Sequence, residues 1–267
     1  MRRSVDDDEL LDGPLDDPAA LRGNLRDLER ANRWLGGVDL SAHGIELLAG
    51  GRDTLTVLDV GTGAADIPVA LLARADRGGR RLRVTGVDSR PEVLAAAVAR
   101  RPLLGATAGL ELHVGDGRRL PFPDRSFDVV HASLLLHHLD PAAAVALLRE
   151  MGRVARRGVV VNDLLRGRLA WLGAWVLSRV ATRNLYTRHD APLSVRRAYT
   201  VGELTSLLAA AGMRVEATRI GGLFGHRVVL AATAAQAAAA AASGSAAVGS
   251  AAASSSGAGS AAGGGSA

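Results

Sequence analysis

The chain has 267 residues, 48% of them hydrophobic, with 32 basic and 27 acidic residues and a formal charge of +5. That length buries a full core, whereas arginines interleaved with acids and only 3% aromatics argue against a nucleic-acid platform. The absence of cysteine excludes disulfides and thiolate chemistry.

The acidic N-terminus "MRRSVDDDELLDGPLDD" lacks the apolar stretch of a secretory signal. The segment "DDPAALRGNLRDLERANRWLGG" then has helical spacing, with Leu21, Leu25, Leu28 and Leu35 as inward positions. "SAHGIELLAG" reads as a second helix closed by Gly50 and Gly51. From there strand and helix alternate. The strands are "LTVLDV", "LRVTGVD", "LELHVGD", "FDVVHAS" and "GVVVND"; the helices are "ADIPVALLARA", "PEVLAAAVARR" and "PAAAVALLREMGRVA". Val- and Leu-rich strands separated by helices predict a parallel sheet covered on both faces.

Residues 164–200 break the rhythm with a helix-like "RGRLAWLGAWVLSRVATRNLY" and a polar "TRHDAPLSVRRAY". The apolar part, Leu169 to Leu177, is too short to span a bilayer, which takes about 20 residues. "TVGELTSLLAAAG" opens with a capping box, and "MRVEATRI" and "HRVVLAATA" are the last two strands. The expected fold is α/β, a doubly wound, mainly parallel sheet of seven strands. Residues 1–50 are expected to form a helical cap and 51–233 the main domain, with 164–200 as a helical insertion over the active site. Residues 234–267, alanine, glycine and serine almost throughout, are expected to be a disordered tail.

Ligands of open α/β sheets bind beyond the carboxyl ends of the strands. Each of the first three strands ends there in an acid, Asp59, Asp88 and Asp116, and the first is followed by "GTG". One strand-end aspartate is commonly a helix cap. Three in order suit a ligand that carries an amine, a diol and an exocyclic amino group.

Together "VLDVGTGAADIP", "VTGVDSRPEVL" and "VGDGRRLPFPDRSFDVVHASLLLHHL" resemble the class I methyltransferases that use S-adenosylmethionine, over roughly residues 50–232. The resemblance implies a Rossmann-like fold and that cofactor. It assigns the methionine portion to Asp59, Gly61, Thr62 and Gly63, and the ribose hydroxyls to Asp88, with Ser89 beside it. Asp116 and Gly117 fall at the adenine pair, and Ala132 and Ser133 on the methionine side. The third glycine of the family's turn is replaced by Ala65. A nicotinamide dehydrogenase fits less well, because its third small position would fall on the charged Asp66.

The cofactor arrives activated, so alignment and, for an oxygen or nitrogen acceptor, proton removal are left to the protein. "LLLHHLD" offers His137 and His138 for that work, His137 being preferred as the base by resemblance to similar segments. With Asp140 they fall short of a metal centre, and no metal is expected. His113 and His131 lie inside strands and read as structural. Trp171 and Trp175, four apart on one helix face, are either core or the lining of an acceptor pocket, and Arg196 and Tyr199 are candidate acceptor contacts. "RHDAPLSVRRAYTVGELTSLLAAAGM" is also similar to methyltransferases of polyketide and quinone pathways. The expected activity is methylation of a small molecule, on an oxygen of a hydroxylated aromatic or polyketide-type compound. The alternatives are C-methylation of a quinol ring and a non-catalytic cofactor-binding partner subunit. A cytoplasmic monomer or homodimer is expected, without nucleic acid and without stable membrane insertion.

Overall fold

The computed structural model describes residues 1–5 and 7–235. Two helices come first, α1 (Pro18–Trp34) and α2 (Gly37–Ala49), followed by β1 (Thr54–Val60), α3 (Asp66–Arg77), β2 (Arg81–Asp88) and α4 (Pro91–Arg100). Next are β3 (Leu110–Val114), β4 (Phe127–Ser133), a 3-10 turn at Leu136–His138, α5 (Pro141–Val154) and β5 (Ala155–Leu164). The chain closes with α6 (Arg168–Val180), α7 (Leu185–Arg197), α8 (Val201–Ala210), β6 (Met213–Gly221) and β7 (Arg227–Ala234).

The strands form one seven-stranded sheet in the order β3-β2-β1-β4-β5-β7-β6. The first five run parallel, and β7 is antiparallel to both of its neighbours. After β3 the chain crosses back to the other side of β1, so a crevice opens at the carboxyl ends of β1 and β4. Register aligns the strand-end groups there: Asp59 stands beside Gly86 and His131, and Asp88 beside Val114.

Local signals account for the helix starts. Asp17 caps α1 by accepting from the backbone N–H of Ala19 and Ala20, and Asp140 caps α5 by accepting from that of Ala143. Proline occupies the first helical position of both. The capping box of α8 is formed by Thr200 and Glu203. On α1, Leu21 and Leu25 are buried and Leu28 packs against them, whereas Leu35 lies just past the helix end.

Two apolar layers sandwich the sheet. Leu147, Leu148 and Met151 of α5 and Leu204 and Leu208 of α8 pack on Val130, Val159 and Leu230. Leu40, Ile45 and Leu48 of α2 join Leu71 of α3 against Val57, Val129 and Val160 on the other face. Each such side chain contributes roughly 1.5–3 kcal/mol. Helix α2, expected in a cap, is therefore part of the core, and α1 with the segment before it forms the cover.

Residues 164–200 depart from the expected single helix and polar loop. They form two helices, because Asn184 caps α7 by accepting from the Thr187 N–H, and Asp190, buried, accepts from the N–H groups of Leu10 and Leu11. Pro192 sits inside α7 and leaves the Arg188 carbonyl without its helical donor. Strand β7 extends through Ala234, Ala235 donates to the Gly212 carbonyl at 3.0 Å, and residues 236–267 of the expected tail lie outside the described residues.

Candidate active site

Beyond β1 the chain makes a tight turn whose backbone is tied to the end of β2. The N–H groups of Gly61 and Thr62 both donate to the Val87 carbonyl, at 2.8 and 3.0 Å. Gly61 and Gly63 have φ of 71° and 55°, a region open to glycine at no steric cost. Ala65 takes the same left-handed conformation with φ 52°, although alanine pays for it.

Asp59 is buried and serves the turn from beneath. Its Oδ2 accepts from Thr62 Oγ1 at 2.7 Å, and its Oδ1 lies 2.6 Å from His131 Nδ1. His131 Nε2 is 2.8 Å from Ser41 Oγ, which in turn accepts from Asn162 Nδ2 at 2.8 Å. With an amide donating at one end and a carboxylate accepting at the other, His131 donates from Nδ1 and accepts at Nε2. The chain joins α2 to three strands, which makes His131 structural.

Asp88 faces the crevice. Gly63 N–H donates to its Oδ2 at 2.9 Å and Arg90 N–H to its Oδ1 at 3.0 Å. Burial raises its pKa above the ordinary carboxylate value; the two N–H donors oppose the shift and the charge of Asp59 adds to it. Asp116 is exposed and held by Arg118, whose guanidinium grips both carboxylate oxygens and lowers its pKa.

These groups line one cleft of about 490 Å³, together with Ser89, Gly117 and Ser133. No neighbouring atom lies within 4 Å of where a Cβ on Gly63 would stand, so this turn leaves room for close backbone approach. Ser133 Oγ is buried without a partner among the described residues. Cleft, glycine turn and the carboxylates at the ends of β2 and β3 fit a nucleoside with an amino-acid arm. Ala132 lies beneath the floor, fully covered. The cleft's other wall comes from Leu25 and Leu28, read in the sequence as inward positions of a helix, and from Leu11, Asp12 and Asn32, which no sequence pattern marked. Asn32 donates to Asp66 at 2.9 Å, and burial raises the pKa of Asp66.

The two histidines divide differently from the expectation. His138 lines the cleft and His137 does not. His137 is buried, with Nδ1 2.6 Å from Asp163 Oδ1 and its backbone N–H donating to Oδ2 at 3.1 Å. Burial works to raise the pKa of Asp163, but His137, the Leu164 N–H and His138 together outweigh it and the carboxyl is held low. His138 Nδ1 lies 3.0 Å from Asp12 Oδ2. Burial works to lower the pKa of His138, yet Glu9, Asp12 and Asp163 overcome it and push it up to about 9.

Both rings sit on the 3-10 turn with centroids 4.3 Å apart, and both turn Nε2 toward Glu9, at 3.9 and 3.8 Å. Glu9, His137 and His138 thus present three ligand atoms within 4.8 Å of one another, while Asp140 is spent as a cap. Arg197, 3.9 Å from Glu9, already supplies the positive charge that a metal ion would bring. It also donates to the His138 carbonyl at 2.8 Å, so the end of α7 clamps the histidine turn.

The other expected acceptor contacts lie away from the cleft. Tyr199 is buried, its hydroxyl donating to the Leu139 carbonyl at 2.7 Å. Arg196 is exposed and pairs with Asp7 at 3.3 Å. Trp175 is 41% exposed with Arg179 over its ring, and Trp171 is on the same helix, outside the cleft lining.

Residues 57–158 match the family model described as a methyltransferase domain. A phosphatidylethanolamine N-methyltransferase of Cereibacter sphaeroides is 36% identical over 121 residues, 44% of this chain and 53% of that protein. A demethylmenaquinone methyltransferase of Chlorobaculum parvum is 33% identical over 102 residues, 38% of this chain and 37% of the relative. The chain thus spans only between about a third and a half of the length of these curated relatives. Among solved structures, a SAM-dependent methyltransferase from Aquifex aeolicus superposes with a TM-score of 0.55 at 21% identity, over 81% of this chain and 97% of that one. The centre of the chain thus matches a methyltransferase domain, and its sheet and helices have the fold of that solved methyltransferase.

Proposed function

We propose that this protein methylates a small molecule, on an oxygen of a hydroxylated aromatic or polyketide-type compound. Asp59, Gly61, Thr62 and Gly63 would hold the methionine portion of the cofactor, Asp88 with Ser89 the ribose, and Asp116 with Gly117 the adenine. When bound, the cofactor supplies a methyl carbon activated by a positive sulfur.

The observation that carries the reading is the place of His138, which lines the cleft with Asp12 at one ring nitrogen and Glu9 facing the other. With a pKa of about 9 it is an imidazolium at neutral pH. It therefore acts as an electrostatic anchor rather than as a base. A phenolic acceptor bound against it is held as the oxyanion, its proton having left to water. Asp12, itself in the cleft wall, fixes the ring through Nδ1, and Leu11, Leu25 and Leu28 supply apolar cover.

C-methylation of a quinol is the second reading, favoured by the relative named demethylmenaquinone methyltransferase. The same imidazolium would hold a quinol oxyanion and enrich the adjacent ring carbon. Incubation with a panel of phenols and quinols, with products resolved by NMR, separates O-methyl from C-methyl. Cofactor binding without product from any of them would favour a non-catalytic partner subunit.

A further inference from the structure

Helix α6 turns an apolar stripe to solvent. Leu169, Leu172, Val176 and Val180 are 71%, 49%, 45% and 81% exposed. At about 100° per residue these four positions fall on one face. A solvent-facing helix of a globular domain normally carries polar residues there. The helix buries only Ser178 fully, so α6 contributes little to the core. Leu223, 56% exposed in the turn that packs on α6, adds to the apolar surface. Contiguous exposed apolar surface marks an interaction site.

The charge around the stripe says what kind. Residues 164–189 contain five arginines (Arg166, Arg168, Arg179, Arg183 and Arg188) and neither aspartate nor glutamate. Arg166 pairs with Glu203, and Arg188 donates to the carbonyls of Arg179 and Thr182. Arg168, Arg179 and Arg183 are exposed and have no carboxylate partner among the described residues. Arg179 lies 4.3 Å over the ring of Trp175, which borders the stripe. An apolar face edged by arginine and tryptophan suits a helix lying in the boundary between headgroups and acyl chains. A second copy of this chain would bring its own arginines to the contact and no acid to meet them.

We propose that α6 docks the protein on an anionic lipid bilayer. The helix lies in the membrane plane, with Leu169, Leu172, Val176 and Val180 at the acyl boundary and Arg168, Arg179 and Arg183 among the headgroups. Among the described residues no helix is long and apolar enough to cross the membrane, so attachment is peripheral. The turn after α6 is tied to the cleft wall through Thr182 Oγ1 donating to Asp27 at 2.6 Å and Asn184 Nδ2 donating to the Ala20 carbonyl at 2.8 Å.

The test is co-sedimentation of the full chain with vesicles of phosphatidylcholine alone or with phosphatidylglycerol added. Binding to the anionic vesicles, weakened by salt, is expected. Each arginine near such a surface contributes about fivefold. Arg179→Glu with Arg183→Glu should therefore lose at least about 25-fold, and Leu172→Glu with Val176→Glu should abolish binding. Both pairs are on the surface, so melting temperature and cofactor affinity should stay unchanged. No wild-type binding to anionic vesicles, or equal binding by the variants, overturns the proposal. So does a dimer in sedimentation velocity that Leu172→Glu with Val176→Glu dissociates while vesicle binding is absent. Vesicle binding is read without methyl transfer, so the proposal stands or falls independently of the acceptor.

Discussion

His138 and Asp12 are 126 residues apart in sequence, yet Nδ1 of one lies 3.0 Å from Oδ2 of the other. The contact ties the N-terminal segment to the turn after β4 and helps to keep His138 charged up to about pH 9. An unfolded histidine titrates near 6.5. Because the folded pKa is the higher, the stabilisation is fully present below about pH 6.5 and is lost as pH rises through 9. The difference is worth roughly 3 kcal/mol. The wild-type melting temperature should therefore fall more steeply between pH 7 and 10 than that of His138→Gln. Parallel melting curves across that range would mean that the charge is not held.

His138 and His137 should separate in kinetics. His138→Gln removes the cation at the acceptor end and should lower turnover about 10²–10³-fold, with cofactor affinity nearly constant. Wild-type turnover should decline above pH 9 rather than climb through the range of a free histidine. A rise between about pH 6 and 7.5 would instead identify a neutral base. His137→Gln removes the partner of the buried Asp163 and should act on stability, costing about 3–5 kcal/mol. A His137 variant with wild-type melting and lost turnover would return the catalytic role to His137.

Much of this was legible from strands that end in acids. "LTVLDVGTG" and "LRVTGVD" read directly as strands with a carboxylate at the mouth, and Asp59, Asp88 and Asp116 all line the cleft. The same rule applied to "GVVVND" points to Asp163, whose grip on His137 decides which histidine is left for the cleft. The spacing of Trp171 and Trp175 fixed a common face, but spacing carries no information about which way that face turns. Helix α7 was hidden because its sequence is polar and holds a proline. Its anchor, Asp190 accepting from Leu10 and Leu11, is a contact across 180 residues or nearly so. Asp12 and Asn32 reach the cleft by tertiary packing alone, and no local pattern announces them.

Asp88 should control cofactor affinity. Asp88→Ala removes charge-assisted hydrogen bonds worth roughly 1.5–3 kcal/mol, so binding should weaken about ten- to over a hundredfold by calorimetry. The ionised carboxylate is the form suited to accept from ribose hydroxyls, and burial has raised its pKa. Affinity should therefore decline as pH falls, starting above the ordinary carboxylate range. Equal affinity in the variant would remove Asp88 from the cofactor site.

Gly63 and Gly51 form a matched pair that isolates the role of the turn. Both have positive φ, 55° and 73°, and at neither would an added Cβ meet an atom within 4 Å. Alanine at either position pays the same left-handed cost, about 1–2 kcal/mol, and should lower the melting temperature by a similar amount. Only Gly63 lines the cleft. Gly63→Ala should therefore also weaken S-adenosylmethionine binding by at least about tenfold, since its methyl group projects into the space left for close backbone approach. Gly51→Ala, outside the cleft, should leave affinity unchanged. If the two variants bind the cofactor equally well, the glycine is there for the backbone turn alone, and the cofactor does not pack against it.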